Sequence, residues 1–241
     1  MRAPSPVDNQ LMRFPPLFAG TNKEVLPIIA EYYTDCSFLF AKIGGGLSEL
    51  INDPAHSPTE VVAVMQMMFD KFDALADMYG VQKVRKTANE YYLVAAGLPN
   101  PGLLPSAADR AIGIASFGFA IINMIDFINL ELARYGVTAS VQVGIHSGAA
   151  IAGVIGRKAF QYDLCGDAVN TAARMCTHSL PGHVHVSQTT HELLKHRFAS
   201  VCRGERHVKG KGRMTTYFLV GLPAGSNEVL LQHRGLTELE A

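Results

Sequence analysis

The sequence lacks an excess of charge of either sign. Its 241 residues include 21 basic and 21 acidic side chains, so the formal net charge is zero when the histidines are neutral. Proteins that bind nucleic acids or anionic membranes through general electrostatics usually carry a basic surplus. The balance therefore predicts no nucleic-acid partner, and the length fits one domain with its own buried core.

The cysteines lack the spacing of a zinc site or a disulfide framework. No two of them form a C-x-x-C pair and none is grouped closely with histidines; they are Cys36, Cys165, Cys176 and Cys202. We therefore expect neither structural zinc nor disulfide bonds. Free thiols are typical of a reducing compartment, so we expect a cytoplasmic location, either as a whole protein or as the cytosolic part of a larger one.

The pattern of a secretory signal is also missing, and so is a clear membrane span. The N-terminal residues contain no apolar core of the kind that a signal peptide needs. The most hydrophobic stretch, 111–125, has no charges but is shorter than the roughly 20 residues that cross a bilayer. We predict a buried helix there and no membrane segment in this chain.

Apolar periodicity predicts strands and helices between a polar N-terminal arm (1–35) and a C-terminal tail (222–241). A strand is predicted at about 37–43, and apolar residues at helical spacing predict an amphipathic helix over 61–79. Two strands with a tight turn follow, and a long helix is predicted at about 106–134.

The order of these elements predicts the fold class. It is β-α-β-β-α-β, with further βαβ-type elements up to residue 221. This order is typical of an α/β (α+β sandwich) fold of the ferredoxin-like kind, in which helices cover one face of an antiparallel-rich sheet. The predicted globular domain spans 36–221.

Three glycine-containing motifs do not fit the sites that they superficially match. The motif GIHSG has histidine where a nucleophile elbow needs serine. The motif HVKGKG does not match the phosphate-binding P-loop, and no helix follows it. The glycines of KIGGG are, by themselves, no more than an ordinary turn.

The stretch FQYDLCGDAVNTAARM predicts an anion site. If a helix starts near Gly166 and Asp167, Asn170 and Arg174 lie at positions i and i+4 on one face. An amide and a guanidinium aligned near a helix start suit an anionic ligand such as a phosphate. The alternative is a surface helix with a solvated arginine, and the spacing alone favours that alternative.

Four segments, taken in order, carry a family resemblance: VGIHSGAAIAGVIG, FQYDLCGDAVNTAARM, LPGHVHVSQTTHELL and CRGERHVKGKGRMTTYFLVG. Over about 37–220 the chain resembles the catalytic domain of the class III nucleotidyl cyclases, the adenylyl and guanylyl cyclases. The resemblance implies the ferredoxin-like class III cyclase fold and a dimer with active sites at its interface. In that family one chain supplies two aspartates that hold two magnesium ions. The other supplies the residues for the base, the transition state and the triphosphate.

Carried over residue by residue, the resemblance implies that this chain keeps the residues for the base, the transition state and the triphosphate. Asn170 and Arg174 match the pair that stabilises the transition state, and Lys209 in VKGKG matches the triphosphate lysine. Lys86 and Asp163 match the adenine-reading positions of adenylyl cyclases, where guanylyl cyclases carry glutamate and cysteine.

The chemistry of adenine agrees with this assignment. The Watson–Crick edge of adenine offers one acceptor nitrogen and one donor amine, which fit a lysine donor beside a carboxylate acceptor. Guanine presents the reverse pattern, and its mismatched polar groups would be left unpaired. The alternative is that Lys86 and Asp163 form an ion pair of purely structural importance.

The two metal-binding aspartates of the family are replaced in this chain. Lys42, in FAKIGGG, stands where the family has its first metal aspartate, typically in FADIxGF, and Glu90, in TANEYYL, stands where the second lies in TIGDAYM. Magnesium needs hard anionic oxygen ligands, so the Lys42 ammonium would repel it and Glu90 alone would not hold two ions. We expect no metal site on this chain. A partner chain would mainly hold the Mg²⁺ or Mn²⁺, and Lys42 would fill the cation position with its own charge.

This combination is similar to the second cytoplasmic domain of membrane adenylyl cyclases, which is inactive alone. The leading hypothesis is the non-metal-binding half of a heteromeric adenylyl cyclase in signal transduction, which converts ATP to cyclic AMP and pyrophosphate with a partner that carries the metal aspartates. One alternative is a catalytically dead pseudocyclase that dimerises and regulates a partner. Others are a guanylyl cyclase subunit and a weak self-dimer that uses Glu90 with Mn²⁺.

Overall fold

The computed structural model describes residues 30–86, 91–99, 104–155 and 161–221. In these parts of the chain eight strands alternate with five α-helices. In chain order they are β1 (Ala30–Gly45), α1 (Leu47–Asn52), α2 (Pro58–Met78), β2 (Gln82–Lys86), β3 (Tyr91–Ala96), α3 (Ala107–Leu132), β4 (Ala139–Ile155), β5 (Gln161–Cys165), α4 (Asp167–Thr177), β6 (Val184–Ser187), α5 (Gln188–Leu194), β7 (Ala199–Val208) and β8 (Gly212–Gly221).

The strands form one sheet in the order β2-β3-β1-β4-β6-β8-β7, and β5 pairs with the far half of β4. All neighbouring pairs are antiparallel except β4 and β6, which run parallel. The predicted antiparallel-rich α/β class is therefore confirmed. Strand β1 begins at Ala30, inside the predicted arm; the rest of that arm and the predicted tail lie outside the described residues.

Helix α2 forms where the apolar period predicted it, and its start is fixed by local chemistry. Ser57 caps the helix in a reciprocal capping box with Glu60, and Pro58 occupies the first turn, where its missing N–H costs nothing. The apolar stripe buries Val64, Met68 and Phe72 against the sheet and α3.

Helix α3 is the central helix of the core. With the 3₁₀ turn that follows, it forms a 29-residue segment, Ala107–Tyr135, which by length and composition alone could cross a membrane. In this structure the helix packs on the sheet, and Ile114, Phe117 and Ile121 are fully buried. A helix that is apolar on most sides is also what the centre of a soluble core requires. The predicted buried helix is confirmed.

The helices cover both faces of the sheet, so the expectation of a single covered face is wrong for α4. Helices α2, α3 and α5 share one face with Leu39 and Val143. Helix α4 packs on the opposite face, over Phe38 and Ala95. Gly144 permits this contact, because a Cβ at that position would lie only 1.8 Å from the backbone nitrogen of Cys176 in α4.

Candidate nucleotide site

Helix α4 carries the two residues predicted to bind an anion. It begins directly after Gly166, whose φ of 154° is one that side-chain-bearing residues rarely adopt, and no side chain caps its first turn. Its buried side, including Ala168 and Ala172, packs on the sheet. Asn170 is exposed and Arg174, one turn later, is partly buried. The predicted helix is therefore present, with both side chains on it.

The guanidinium of Arg174 lies against the turn between β7 and β8. A Cβ built on Gly210 in that turn would lie 3.1 Å from Nη1 of Arg174, and Gly210 has a φ of +73°. Nη1 is buried and has no hydrogen-bond partner in the described part of the chain. A buried donor without a partner costs about 1–3 kcal/mol, so such a group usually marks a place where a ligand or water binds.

Two lysines flank Gly210 on the same turn. Lys209, predicted to hold the triphosphate, is exposed to solvent. Lys211, which the sequence reasoning missed, forms an ion pair with Asp167 in the first turn of α4. The turn therefore brings a second lysine to the α4 side of the site. Together with Arg174, these lysines form a positive surface suited to phosphate groups.

Arg85, the residue before the predicted base reader Lys86, contacts Asp163. Nη1 of Arg85 lies 3.3 Å from Oδ2 of Asp163, and the other carboxylate oxygen accepts the backbone N–H of Leu164 at 2.9 Å. A bulge between Lys83 and Arg85 shifts the register of β2. Nε of Arg85 is buried and lacks a partner among the described residues.

The predicted reader Lys86 is placed by its backbone only. It pairs with Tyr92 of β3, and its side chain lies outside the described residues. Arg85 and Lys86 are adjacent cations, and the sequence alone does not show which of them contacts Asp163. The bulge that aims Arg85 at Asp163 depends on how β2 pairs with β3. A bulge is a feature of the sheet that the sequence pattern alone did not reveal.

Lys42 lies in the middle of the sheet, at the position predicted to have lost its metal ligand. It pairs with Tyr91 on one side and with Gln142 on the other. Its Nζ lies 6.0 Å from the centroid of the Tyr91 ring, at the outer limit of a cation–π contact. Glu90, the second degenerate position, lies outside the described residues.

Comparison with known proteins identifies the family. The family model described as "Adenylate and Guanylate cyclase catalytic domain" matches residues 28–221. This chain belongs to that family. The matched range includes all of the described residues, and the predicted class III cyclase fold is confirmed. Catalytic domains of this family act on nucleotides as dimers and generally use Mg²⁺ or Mn²⁺.

Curated relatives of the cyclase domain include enzymes of both kinds. The domain is 38% identical over 215 residues to guanylate cyclase soluble subunit beta-2 of Rattus norvegicus, covering 88% of this chain and 30% of that protein. It is 35% identical over 194 residues to an adenylate cyclase of Mycobacterium tuberculosis, covering 80% of this chain and 41% of that one. The chain therefore spans less than half the length of either relative.

Solved structures show the same fold. The guanylate cyclase domain of RhGC from Catenaria anguillulae, in complex with GTP, matches with a TM-score of 0.68 and 31% identity, covering 80% of this chain and 99% of that chain. The adenylyl cyclase CyaB from P. aeruginosa has a TM-score of 0.72 at 21% identity, over 84% of this chain and 99% of the other. At that identity the second match supports the fold alone.

The described residues of the cyclase domain contain no cluster of side chains suited to a divalent metal. No group of three or more histidine, cysteine, aspartate or glutamate side chains there could hold an ion. The position expected to provide a carboxylate holds the ammonium of Lys42, and a cation of this kind repels Mg²⁺.

Beside α4, the cyclase domain has a buried chain of polar side chains. Nδ1 of His146 lies 2.7 Å from Oγ of Ser187, which lies 3.2 Å from Oγ1 of Thr190. Thr190 donates to Oγ of Ser147 at 3.2 Å, and Ser147 bonds to Ser37 of β1 at 2.8 Å. The chain ties β1, β4 and the start of α5 together.

The imidazole of His146 is neutral at pH 7. Burial lowers its pKa to about 4, and the nearby charge of Lys211 contributes in the same direction, whereas Asp167 opposes the shift. His146 is therefore a polar, uncharged neighbour of Lys211, in the turn between β7 and β8, at neutral pH.

Proposed function

We propose that this chain is the base-recognising and transition-state-stabilising half of a heteromeric adenylyl cyclase. The complete enzyme would convert ATP to cyclic AMP and pyrophosphate, and a partner chain would bring the metal aspartates. The observation that carries the proposal is the buried Nη1 of Arg174, which lies against Gly210 and has no hydrogen-bond partner among the described residues. Structural arginines normally satisfy their donors within the protein, whereas a donor left open beside two lysines fits an incoming phosphate.

ATP is the proposed nucleotide because of the groups on β2 and β5. Asp163 offers an acceptor for the amine of adenine, and a cationic donor beside it serves the acceptor ring nitrogen. The sequence resemblance assigned that donor to Lys86, and the contact of Arg85 with Asp163 makes Arg85 the stronger candidate. The relatives include guanylate cyclases, so GTP is the competing substrate that an assay must include.

Each remaining residue of this chain has a separate task in the proposed reaction. Asn170 would orient the ribose. Arg174 would stabilise the charge that develops on the α-phosphate as the 3′-oxygen attacks in line, forming one phosphorus–oxygen bond while the bond to pyrophosphate breaks. Lys209 would hold the β- and γ-phosphates, and Lys211 is placed to assist it once its pair with Asp167 opens.

The partner would supply the chemistry that this chain lacks. Carboxylates there would hold Mg²⁺ or Mn²⁺, and the chemistry supplied by the bound ion would be activation of the 3′-hydroxyl and charge neutralisation at the phosphates. The lysine at position 42, where the family resemblance places a metal aspartate, favours a second candidate. This is a pseudocyclase that binds a partner and regulates it without catalysing a reaction. Arg174 argues against that candidate, because a pure scaffold gains nothing from a buried Nη1 that has no partner among the described residues.

The test is nucleotide turnover by the purified chain, alone and mixed with a class III adenylyl cyclase domain that carries both metal aspartates. ATP and GTP are each supplied with Mg²⁺ and with Mn²⁺. We expect no product from the chain alone and cyclic AMP from the mixture, here called the mixed dimer. Activity of the chain alone would refute the assignment of Lys42 as a broken metal position. A mixture that assembles but makes no product would favour the pseudocyclase, and cyclic GMP would favour a guanylyl cyclase subunit.

Removing the guanidinium of Arg85 is expected to weaken ATP binding by the mixed dimer. A hydrogen bond to a charged group is worth about 1.5–3 kcal/mol, so Arg85→Ala should raise KM for ATP by about 10–100-fold. Lys86→Ala is the matched control one residue away, and KM should change by less than about twofold if Arg85 is the reader. Steady-state kinetics of both variants decide between them. A large effect of Lys86→Ala together with a small effect of Arg85→Ala would restore Lys86 as the base reader.

A further inference from the structure

Arg203 connects strand β7 to the end of helix α4. Its Nη1 donates to the backbone oxygen of His178, the residue that caps the C-terminus of α4, at 2.6 Å. The same Nη1 lies 3.2 Å from Nε2 of His185 on β6. The guanidinium carbon lies 4.2 Å from the ring centroid of Phe218 on β8, which is a cation–π contact. One side chain of β7 therefore contacts two further strands and a helix end.

His185 extends this connection to a second point on α4. Its Nδ1 lies 2.7 Å from the backbone oxygen of Met175. A carbonyl oxygen only accepts, so Nδ1 carries the hydrogen and Nε2 accepts from Arg203. His185 is fully buried, and burial lowers its pKa to about 4, so the imidazole is neutral at pH 7. Arg203 is thus joined to α4 directly at His178 and, through one imidazole, at Met175.

Both ends of α4 are joined to the hairpin of β7 and β8. The carbonyl groups of a last helical turn lack partners within the helix and carry partial negative charge, so the cation of Arg203 stabilises that end. At the other end, Asp167 in the first turn pairs with Lys211 in the turn between β7 and β8. Arg174 belongs to the same helix, and its guanidinium lies against Gly210 of that turn.

The proposed reaction needs α4 and this hairpin in a fixed relative position. Arg174 would act from α4 and Lys209 from the hairpin, on different phosphates of one nucleotide. A displacement of about 1 Å in a group that acts on a transition state can cost about 10²-fold in rate. The backbone of α4 packs mainly on β4 and β1. The side-chain bonds of Arg203 and Lys211 therefore contribute the connection between α4 and the hairpin.

We propose that Arg203 is a positioning residue, which holds α4 so that the guanidinium of Arg174 lies against Gly210. Nη1 of Arg203 is already bonded to groups of this chain, so Arg203 acts through α4 and not on the nucleotide. The kinetic consequence rests on the proposed function, in which Arg174 stabilises charge on the α-phosphate.

The first experiment measures steady-state kinetics of Arg203→Met in the mixed dimer. Methionine keeps an unbranched apolar side chain beside Phe218 and removes the donors. We expect kcat to fall by about 10–100-fold. KM for ATP should change by less than about threefold, because Arg85, Asp163 and Lys209 lie outside α4. Arg203→Lys keeps the charge without the planar set of donors, so it should restore part of kcat.

A double-mutant cycle shows whether Arg203 acts through Arg174. When Arg174 is already alanine, Arg203→Met should lower kcat by less than about a further twofold, because the group that it positions is absent. A purely structural role would lower kcat by the same factor in both backgrounds.

Asn129→Ala is the matched control. Asn129 of α3 also makes two hydrogen bonds to backbone, with the oxygen and the nitrogen of Ala139 at 3.0 and 2.7 Å. Its loss should lower the urea midpoint as the loss of Arg203 does, while kcat stays within about twofold of the wild type.

The position of Arg174 is also measured without turnover, from the NMR signal of its guanidinium in the 241-residue chain alone. The signal is assigned by its loss in Arg174→Lys. It should shift in Arg203→Met and stay unchanged in Asn129→Ala. If circular dichroism shows that Arg203→Met is unfolded, Arg203→Lys takes its place in every comparison.

Three results would overturn the proposal: an unchanged kcat for Arg203→Met, equal losses of kcat in the two backgrounds, or an unchanged signal of Arg174. Failure of the proposed function gives a different result. The wild-type mixture would then make no cyclic nucleotide, while the signal of Arg174 still shifted in Arg203→Met.

Discussion

Replacing Arg174 with alanine is expected to lower cyclic AMP production by the mixed dimer by about 10²–10³-fold. This is the usual loss when one preorganised electrostatic contact with a transition state is removed. The stability of the chain should not fall, because the variant removes a buried donor that has no partner in the described structure. Initial rates at saturating ATP and the midpoint of urea unfolding are the two measurements. An active-site role predicts a large change in the first and little change in the second.

Two further variants show whether the effect is specific to the guanidinium of Arg174. Arg174→Lys keeps the charge but loses the planar pair of donors, so it should recover only part of the rate. Arg213→Ala removes an exposed arginine from β8, whose pair with Glu205 is also exposed, and should leave the rate within about twofold. A rate for Arg174→Ala close to that of the wild type would show that the guanidinium does not act on the α-phosphate.

Substituting Gly144 with alanine is expected to destabilise the chain by more than about 3 kcal/mol. The new Cβ would lie 1.8 Å from the nitrogen of Cys176 and 2.3 Å from its Cα, so the backbone of α4 would have to move away from β4. Since α4 carries Asn170 and Arg174, activity of the mixed dimer should be lost with the stability. Urea unfolding monitored by circular dichroism measures the first effect.

Gly44→Ala is the matched control, because Gly44 is also a strand glycine. A Cβ there would meet only Oγ of Ser140, at 3.4 Å, which is ordinary contact with a small side chain. Its free energy of unfolding should change by less than about 1 kcal/mol. An unchanged urea midpoint for Gly144→Ala would contradict the close packing of α4 on β4.

Local signals in the sequence were sufficient to predict individual elements. The apolar period over 61–79 is a property of consecutive residues, and the structure reproduces this helix as α2, with a start at Pro58. Helix α3 was harder, because a helix that is apolar on most sides could fit a core or a membrane. Its packing against the sheet, which the sequence does not show, decides between them.

Features that depend on pairing between distant segments could not be predicted in the same way. The sequence placed Asn170 and Arg174 on one helix, but the face on which α4 packs depends on the fit of Gly144 against Cys176, residues 32 positions apart. The base-reading pair was assigned by matching positions in the chain, whereas the contact of Arg85 with Asp163 depends on the pairing of β2 with β3, which is irregular between Lys83 and Arg85. Register is a property of the assembled sheet.

The polar chain beside α4 determines where the proton of neutral His146 resides. Each hydroxyl has one hydrogen to give, and Thr190 gives its hydrogen to Ser147. The bond between Thr190 and Ser187 must then use the hydrogen of Ser187. The remaining bond, between Ser187 and His146, can form only if Nδ1 of the imidazole carries the proton.

This count of hydrogens selects one tautomer of His146 and leaves its Nε2 as a lone-pair acceptor. A Cβ at Gly148 would lie 3.6 Å from Nε2 and 3.0 Å from the side chain of Ala168, so the absence of a side chain there keeps the nitrogen free of a methyl neighbour. Strand β4 therefore offers Nε2 of His146 as an acceptor for a donor or a water molecule at the start of α4, near the turn between β7 and β8 that carries Lys211.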